Sequence, residues 1–219
     1  MTESVAAADA GVLWLAALQR ALGRASHDVK DALNGVSVNL EVVRGRAAKP
    51  DAHAAAVAPF ADAAAQQLER LTTLVEAVLA LGRAERQPAD VAVTLRRIAT
   101  VCGASSSSAD AEVVVEVGDV ESAMTSVPGD AVRLALAAPL LALVNGGNRT
   151  ARASAVRCVV SEGDGATLVT IGAEGRRAEM PGEVADAVRA AGVRWSDPAP
   201  ATAGGGTESN DLSLVFPRP

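Results

Sequence analysis

The residue best suited to chemistry in this sequence is His27, which is followed directly by an acidic residue, Asp28. A neutral imidazole is a competent nucleophile near neutral pH and forms covalent intermediates in group transfer. A carboxylate beside it can accept a hydrogen bond from one ring nitrogen and leave the other nitrogen free to attack. The pair therefore predicts nucleophilic chemistry at His27, assisted by Asp28.

Polar and charged residues surround His27 at helical spacing, since residues three, four or seven positions apart share one face of a helix. These neighbours are Arg20, Gly23, Arg24, Lys30, Asp31 and Asn34. The positive side chains suit a phosphoryl group, because its oxygens accept charge-assisted hydrogen bonds. Four neighbours are predicted to assist the phosphoryl group or to contact a docking partner: Arg24, Lys30, Asp31 and Asn34.

The other reactive side chains have no comparable surroundings. His53 lies in an Ala-rich stretch, and we interpret it as a solvated surface residue. Cys102 and Cys158 are far apart and lack neighbours at metal-ligand spacing, so two reduced, buried thiols are expected. We predict no stably bound cofactor or metal in this chain.

A long helix must present His27 to solvent. Residues 9–46 carry an apolar repeat of seven, with further apolar residues between: Leu15, Leu22, Val29, Val36, Val43, Leu18, Ala25, Ala32, Leu33 and Leu40. Such a repeat is typical of a helix packed lengthwise against other helices, and this helix would be roughly 55 Å long. Counted from Leu22 and Val29 as core positions, His27 occupies an outward-facing position.

A second helix is predicted over residues 52–86, after a break at which Pro50 disfavours helix and Asp51 caps the new helix. Its apolar stripe consists of Val57, Ala61, Ala64, Leu68, Leu71, Val75 and Val78. The two helices would form an antiparallel hairpin. One hairpin buries only one seam, so we predict a homodimer that closes a four-helix bundle.

The rest of the chain predicts an α+β sandwich. Residues 87–90 are interpreted as a linker between two domains, 1–87 and 88–219. Helices are predicted over 91–102, 130–143 and 183–191, and strands over 112–117, 155–161, 167–171 and 211–216, with a turn around 163–165 and loops over 103–110 and 196–210.

Composition excludes several function classes. The net charge of −6, without a basic stretch, argues against nucleic acid as the partner. No apolar run approaches the roughly 18 residues of a membrane-spanning helix, and residues 1–11 lack the positive region of a signal peptide. We therefore expect a cytoplasmic protein with no membrane association and no sensor domain.

Residues 26–36, SHDVKDALNGV, resemble the H-box of bacterial sensor histidine kinases. That motif runs Ser-His-Glu/Asp-Leu-Arg/Lys-Thr/Asn-Pro-Leu. The resemblance implies that His27 is the phosphoacceptor, that Asp28 assists transfer and that Lys30 is the basic residue beside them. Two positions depart from the motif: Asp31 replaces the Thr or Asn used for phosphatase activity, and Ala32 replaces the Pro that kinks the helix.

The second half is similar in element order to the ATP-binding domain of these kinases, but it departs from the family at key positions. Asn145 aligns with the second Asn of the N-box, whereas Leu141 stands where the first Asn would hold Mg²⁺. Ala173, within VTIGAEG, replaces the Asp that binds adenine. Residues 204–207, GGGT, are a weak echo of the later Gly-rich box, and such glycines also suit ordinary turns.

An H-box beside a degenerate nucleotide site resembles the histidine phosphotransferases of the ChpT type, which relay phosphoryl groups without ATP. The resemblance implies a homodimer that exchanges phosphoryl groups with receiver domains of response regulators, Mg²⁺ being supplied by the receiver. A hybrid histidine kinase is a further candidate partner. Three alternatives stay open: an ATP-dependent histidine kinase with a divergent nucleotide site, a non-catalytic pseudo-kinase that inhibits a signalling partner, and a helical adaptor with a chance H-box.

Overall fold

The computed structural model describes residues 2–50, 53–83, 88–104, 113–118, 120, 123–145, 155–174, 176–197 and 210–219. The side chains of residues 2–9, 24, 28, 104 and 145 lie outside the described part. The elements in chain order are α1 (Thr2–Ala47), α2 (Ala54–Leu81), β1 (Ala89–Asp90), α3 (Val91–Ala104), β2 (Val113–Val117), β3 (Met124–Thr125), α4 (Gly129–Asn145), β4 (Val156–Gly163), β5 (Ala166–Ala173), α5 (Gly182–Ala190), β6 (Arg194–Ser196) and β7 (Leu212–Pro217). The predicted mixture of helices and strands is confirmed.

Helices α1 and α2 pack against each other as an antiparallel hairpin. They approach closely at Gly35, where a Cβ atom would lie 2.5 Å from Nε2 of Gln67. Near the tip of the hairpin, Nη1 of Arg46 donates a hydrogen bond to the carbonyl of Ala56 at 2.8 Å, and the guanidinium lies 4.5 Å from the ring centroid of Phe60. The contacts at Gly35 and Arg46 hold the two helices side by side.

The main sheet has five strands in the order β2-β4-β5-β7-β6. Strands β2 and β4 are parallel, and the other neighbours are antiparallel. The predicted turn between β4 and β5 is confirmed, and Gly165 occupies it with a φ of 68°, a conformation that favours glycine. A separate two-stranded sheet pairs β1 with β3.

One face of the main sheet is buried, because alternate residues of β4 and β5 join the same apolar cluster as α3, α4 and α5. Helix α1 belongs to this cluster as well. A small apolar void at the junction is lined by Trp14, Ala17, Leu18 and Ala21 of α1, Leu81 of α2, Ile98, Val101 and Cys102 of α3, and Ala137 and Leu141 of α4. The hairpin and the rest of the chain, hereafter the second unit (residues 88–219), therefore share one core.

The predicted apolar stripes are partly wrong about which residues a single chain buries. Leu15 is 55% exposed, and Leu33, Leu40, Leu68 and Val75 are exposed too. Other predicted positions are buried, as expected: Leu18, Ala25, Ala64 and Leu71. Trp14, Ala21 and Leu74 are buried as well, although they were not among the predicted positions. The difference is rotational where the prediction fails: Leu15, Leu22 and Val75 each follow a buried residue by one position, about 100° further around the helix.

Several element boundaries also differ from the predictions. Helix α2 begins after His53, which occupies the N-cap position without a side-chain hydrogen bond, so the predicted cap by Asp51 is wrong. The end of the predicted linker forms β1, and Oδ1 of Asp90 accepts a hydrogen bond from the backbone of Val93, at 2.9 Å, to cap α3. Strands β3 and β6 were not predicted. The predicted domain boundary at residue 87 and most of the predicted loops, 105–110 and 198–209, lie outside the described residues.

Neither cysteine forms a disulfide, and both are buried, as predicted. Burial, and to a lesser extent the charge of nearby Cys102, raises the pKa of Cys158 to about 12. His53 is exposed, also as predicted. Across the described residues, no helix is long and apolar enough to cross a bilayer.

Candidate functional site

His27 is exposed on α1 at the point where this helix leaves the shared core. The buried side chains of α1 run from Ala10 to Ala25. Among the described side chains of residues 26–47, none is buried. Packing on the second unit therefore fixes the helix just before His27, while the imidazole itself faces solvent.

Three of the four neighbours predicted to assist the phosphoryl group or contact a partner are also exposed: Lys30, Asp31 and Asn34. They follow His27 by three, four and seven residues, so they lie on or beside the same helical face. The side chains of Arg24 and Asp28 fall outside the described part, so their assignments stay predictions. The roles of His27 and its neighbours stay predictions as well.

The apolar stripe of α1 lies on the opposite side of the helix from His27. At about 100° per residue, His27 is roughly 140° from Leu22 and roughly 160° from Val29. The stripe continues into Leu33 and Leu40, which are 50% and 52% exposed. A partner that covers this stripe therefore leaves His27 accessible.

The second unit reaches the His27 side of α1 through α5. Nη1 of Arg20 lies 3.6 Å from Oε1 of Glu183, the acidic residue in the first turn of α5. The two side chains are 61% and 63% exposed, so this ion pair contributes at most about 1 kcal/mol. Arg20 precedes His27 by seven residues, roughly 10 Å along the helix. The pair marks the edge of the second unit beside His27.

The two positions that the resemblance aligns with nucleotide-binding residues carry apolar side chains. Leu141, aligned in the sequence with the Mg²⁺-binding Asn of the kinases, is buried and lines the void beside Trp14. Ala173, aligned in the sequence with the adenine-binding Asp of the kinases, is buried at the end of β5. Neither residue has a polar side-chain atom. The side chain of Asn145 and residues 204–207 lie outside the described part.

Arg176 is a feature that the sequence did not reveal. Its Nη1 donates a hydrogen bond to the carbonyl of Leu143 at 2.7 Å, in the last turn of α4. Arginine side chains commonly satisfy the unpaired carbonyls at a helix C-terminus. The contact ties the segment after β5 to the end of α4.

Metal-ligating side chains do not gather in the described ranges, where no three of His, Cys, Asp and Glu lie together as a candidate site.

Comparison with known proteins gives structural similarities only. No family model matches the chain, and no curated protein matches it. The histidine kinase domain of the blue-light activated kinase EL346 from Erythrobacter litoralis is similar at 15% identity, over 91% of this chain and 94% of that one, with a TM-score of 0.44. The histidine kinase AdeS of Acinetobacter baumannii is similar at 14% identity over 87% and 97%, with a TM-score of 0.37. A bacterial phosphotransferase is similar at 18% identity over 90% and 94%, with a TM-score of 0.40.

Proposed function

We propose that this chain is a histidine phosphotransferase of the ChpT type, which relays phosphoryl groups between receiver domains through His27. The observation that carries the proposal is the exposed imidazole within an H-box-like segment, on the side of α1 opposite the apolar stripe. A docked protein could reach the ring there without disturbing the helix packing.

In the proposed reaction, a phosphorylated receiver docks beside His27 and one ring nitrogen attacks the phosphorus of its aspartyl phosphate in line. The N–P bond forms as the bond from phosphorus to the aspartyl oxygen breaks, and the receiver carboxylate leaves with the electron pair. Asp28 would hold the other ring nitrogen, and Lys30 would offset the charge of the phosphoryl oxygens. Reversal of this step onto a second receiver completes the relay.

This function requires neither ATP nor a metal site in the chain itself. Leu141 and Ala173 have no polar side-chain atom for Mg²⁺ or adenine, which favours a relay over an ATP-dependent kinase. Mg²⁺ would be bound by the receiver, where it offsets the charge on the transferring group. Receiver domains, and a hybrid histidine kinase that carries one, are the proposed partners.

The proposed active form is a homodimer with a four-helix bundle. On each helix, the exposed leucines follow by about one residue the row of side chains that faces the other helix. Because the two helices are antiparallel, this offset places both sets of leucines on the same side of the hairpin. A second copy is the proposed occupant of this face, since two such hairpins bury each other's stripes. The His27 side stays open in that arrangement.

The test is phosphotransfer from a panel of radiolabelled, phosphorylated receivers, beside incubation with labelled ATP and Mg²⁺. We expect label on the chain from at least one receiver and none from ATP. His27→Ala should reduce labelling to background, whereas His53→Ala, which removes the other exposed histidine, should not. Labelling from ATP at His27 would instead identify a kinase, and labelling that survives His27→Ala would refute the proposal.

A further inference from the structure

Arg133 is a charged side chain buried at the junction between the hairpin and the second unit. It lies in α4, and its side chain is only 4% exposed. Nη2 donates a hydrogen bond to the backbone carbonyl of Arg83, two residues past the end of α2, at 2.8 Å. Nη1 donates to Oδ1 of Asp130, one turn earlier in α4, at 2.9 Å. One guanidinium thus joins the end of the hairpin to the second unit.

The same cluster also contacts the first helix of the hairpin. A Cβ atom built on Gly11 of α1 would lie 3.4 Å from Oδ2 of Asp130, which is ordinary van der Waals contact. The Asp130 side chain therefore lies beside Gly11 of α1 while it accepts the hydrogen bond from Arg133. The α4 pair Arg133–Asp130 thus contacts Arg83, just past the end of α2, and lies beside α1 at Gly11.

A buried charge is costly unless hydrogen bonds compensate it. Separating the two units would take the carbonyl of Arg83 away from Arg133 and leave the guanidinium with fewer partners. It would also uncover apolar side chains of α1 that are buried now, among them Trp14 and Ala21. Polar and apolar contacts therefore both oppose separation of the hairpin from the second unit.

We propose that Arg133 and Asp130 form an inter-unit clasp, which holds the second unit at one fixed position on the hairpin. While the clasp contacts are intact, the second unit keeps its position on α1 and does not cover His27. The proposal goes beyond the phosphoryl relay and does not depend on it. Where the relay also operates, the clasp keeps the imidazole permanently open to an external donor.

The clasp is tested by measuring a distance between the two units with paired spin labels. Asp62 on α2 and Asp164 at the β4–β5 turn are exposed and suit replacement by cysteine. The native cysteines are buried, and a sample without the added cysteines checks that they take up no label. Mixing with excess unlabelled chain removes distances between copies in a dimer.

We expect one narrow distance peak for the parent protein and a broad or multiple distribution for Arg133→Met, which keeps the apolar stem and removes the charge. Arg157→Ala is the matched control, because Arg157 pairs with Glu116 at 2.7 Å on the exposed side of the sheet. This control should leave the peak unchanged. If Arg133→Met does not fold, Asp130→Ala should broaden the peak in its place.

A broad distribution in the parent protein would overturn the clasp. So would a narrow, unshifted peak in a folded Arg133→Met variant, or in Asp130→Ala where that variant is the one measured. Because the readout is a distance, a negative result for phosphotransfer leaves it unaffected. The two proposals therefore fail separately.

Discussion

Replacing Gly35 by alanine tests how closely α1 and α2 approach each other. In an open helical position, this change stabilises a protein by roughly 0.5–1 kcal/mol, because glycine loses more backbone entropy on folding. At Gly35, however, the new Cβ would lie 2.5 Å from Nε2 and 2.9 Å from Cδ of Gln67. The amide must turn aside, and a displaced rotamer costs about 0.5–1.5 kcal/mol. The two effects nearly cancel, so we expect a change close to zero.

The same substitution should become stabilising once Gln67 is truncated. In a Gln67→Ala background the three atoms nearest to the Cβ are removed, and Gly35→Ala should then stabilise by about 1 kcal/mol. The double-mutant cycle should thus give a coupling energy of about 1 kcal/mol. The assay is urea denaturation at one fixed protein concentration, which keeps any contribution from dimerisation constant.

Gly23 provides the matched control, because a Cβ built there meets no atom within 4 Å. Gly23→Ala should stabilise equally with and without Gln67. If Gly35→Ala stabilised as much as Gly23→Ala in both backgrounds, the helices would not approach each other as described, and the reasoning would be refuted.

Two further predictions concern the buried thiol and the apolar stripe. Because the folded state raises the pKa of Cys158 from 9.0 to about 12, its contribution to stability is complete below pH 9 and is lost as the pH rises toward 12. Denaturation curves across this range should show a loss of up to about 1.4 kcal/mol per pH unit that Cys158→Ala lacks; equal slopes in both proteins would contradict the burial. Leu33→Glu should shift a dimer to monomer in sedimentation, whereas Val38→Glu, exposed on the His27 side, should not. Dimers of unchanged stability in both variants would exclude the stripe as the interface.

The helices and long strands could be predicted because each carries a periodic pattern over many residues. Helices α3 and α5 and strand β7 begin and end within two residues of their predicted bounds. Strands β3 and β6 have only two and three residues, too few to display a pattern. Their pairing depends on neighbours that are distant in sequence.

The heptad pattern identified the apolar residues of α1 without assigning them to a partner. Trp14 and Leu15 are adjacent apolar residues, yet only Trp14 is buried within the chain. A single helix has no property that decides which apolar side meets α2, which meets the second unit, and which is left exposed. For the same reason, the heptad pattern predicted that His27 faces outward, but it did not predict that α5 lies nearby.

The contacts between the hairpin and the second unit could not be predicted from the sequence for a related reason. Arg133 and Arg83 are 50 residues apart, and the acceptor is a backbone carbonyl that has no residue-type signal. Arginine is mostly an exposed residue, so its burial at position 133 follows only from the fold. Such contacts become visible once the elements have been placed in space.

The position of His27 at the boundary of the core reconciles rigidity with access. A nucleophile must be held in a defined orientation for in-line attack, since misplacement by about 1 Å can cost 10²-fold in rate. The buried residues up to Ala25 provide that support from the preceding turn of the same helix. A docking protein needs the opposite, an uncovered surface, and the absence of buried side chains among the described residues of 26–47 leaves one. Moving the histidine one turn toward Ala21 would bring it closer to the second unit, and moving it toward the hairpin tip would remove its support. The proposed phosphotransfer through His27 therefore favours this one turn of α1.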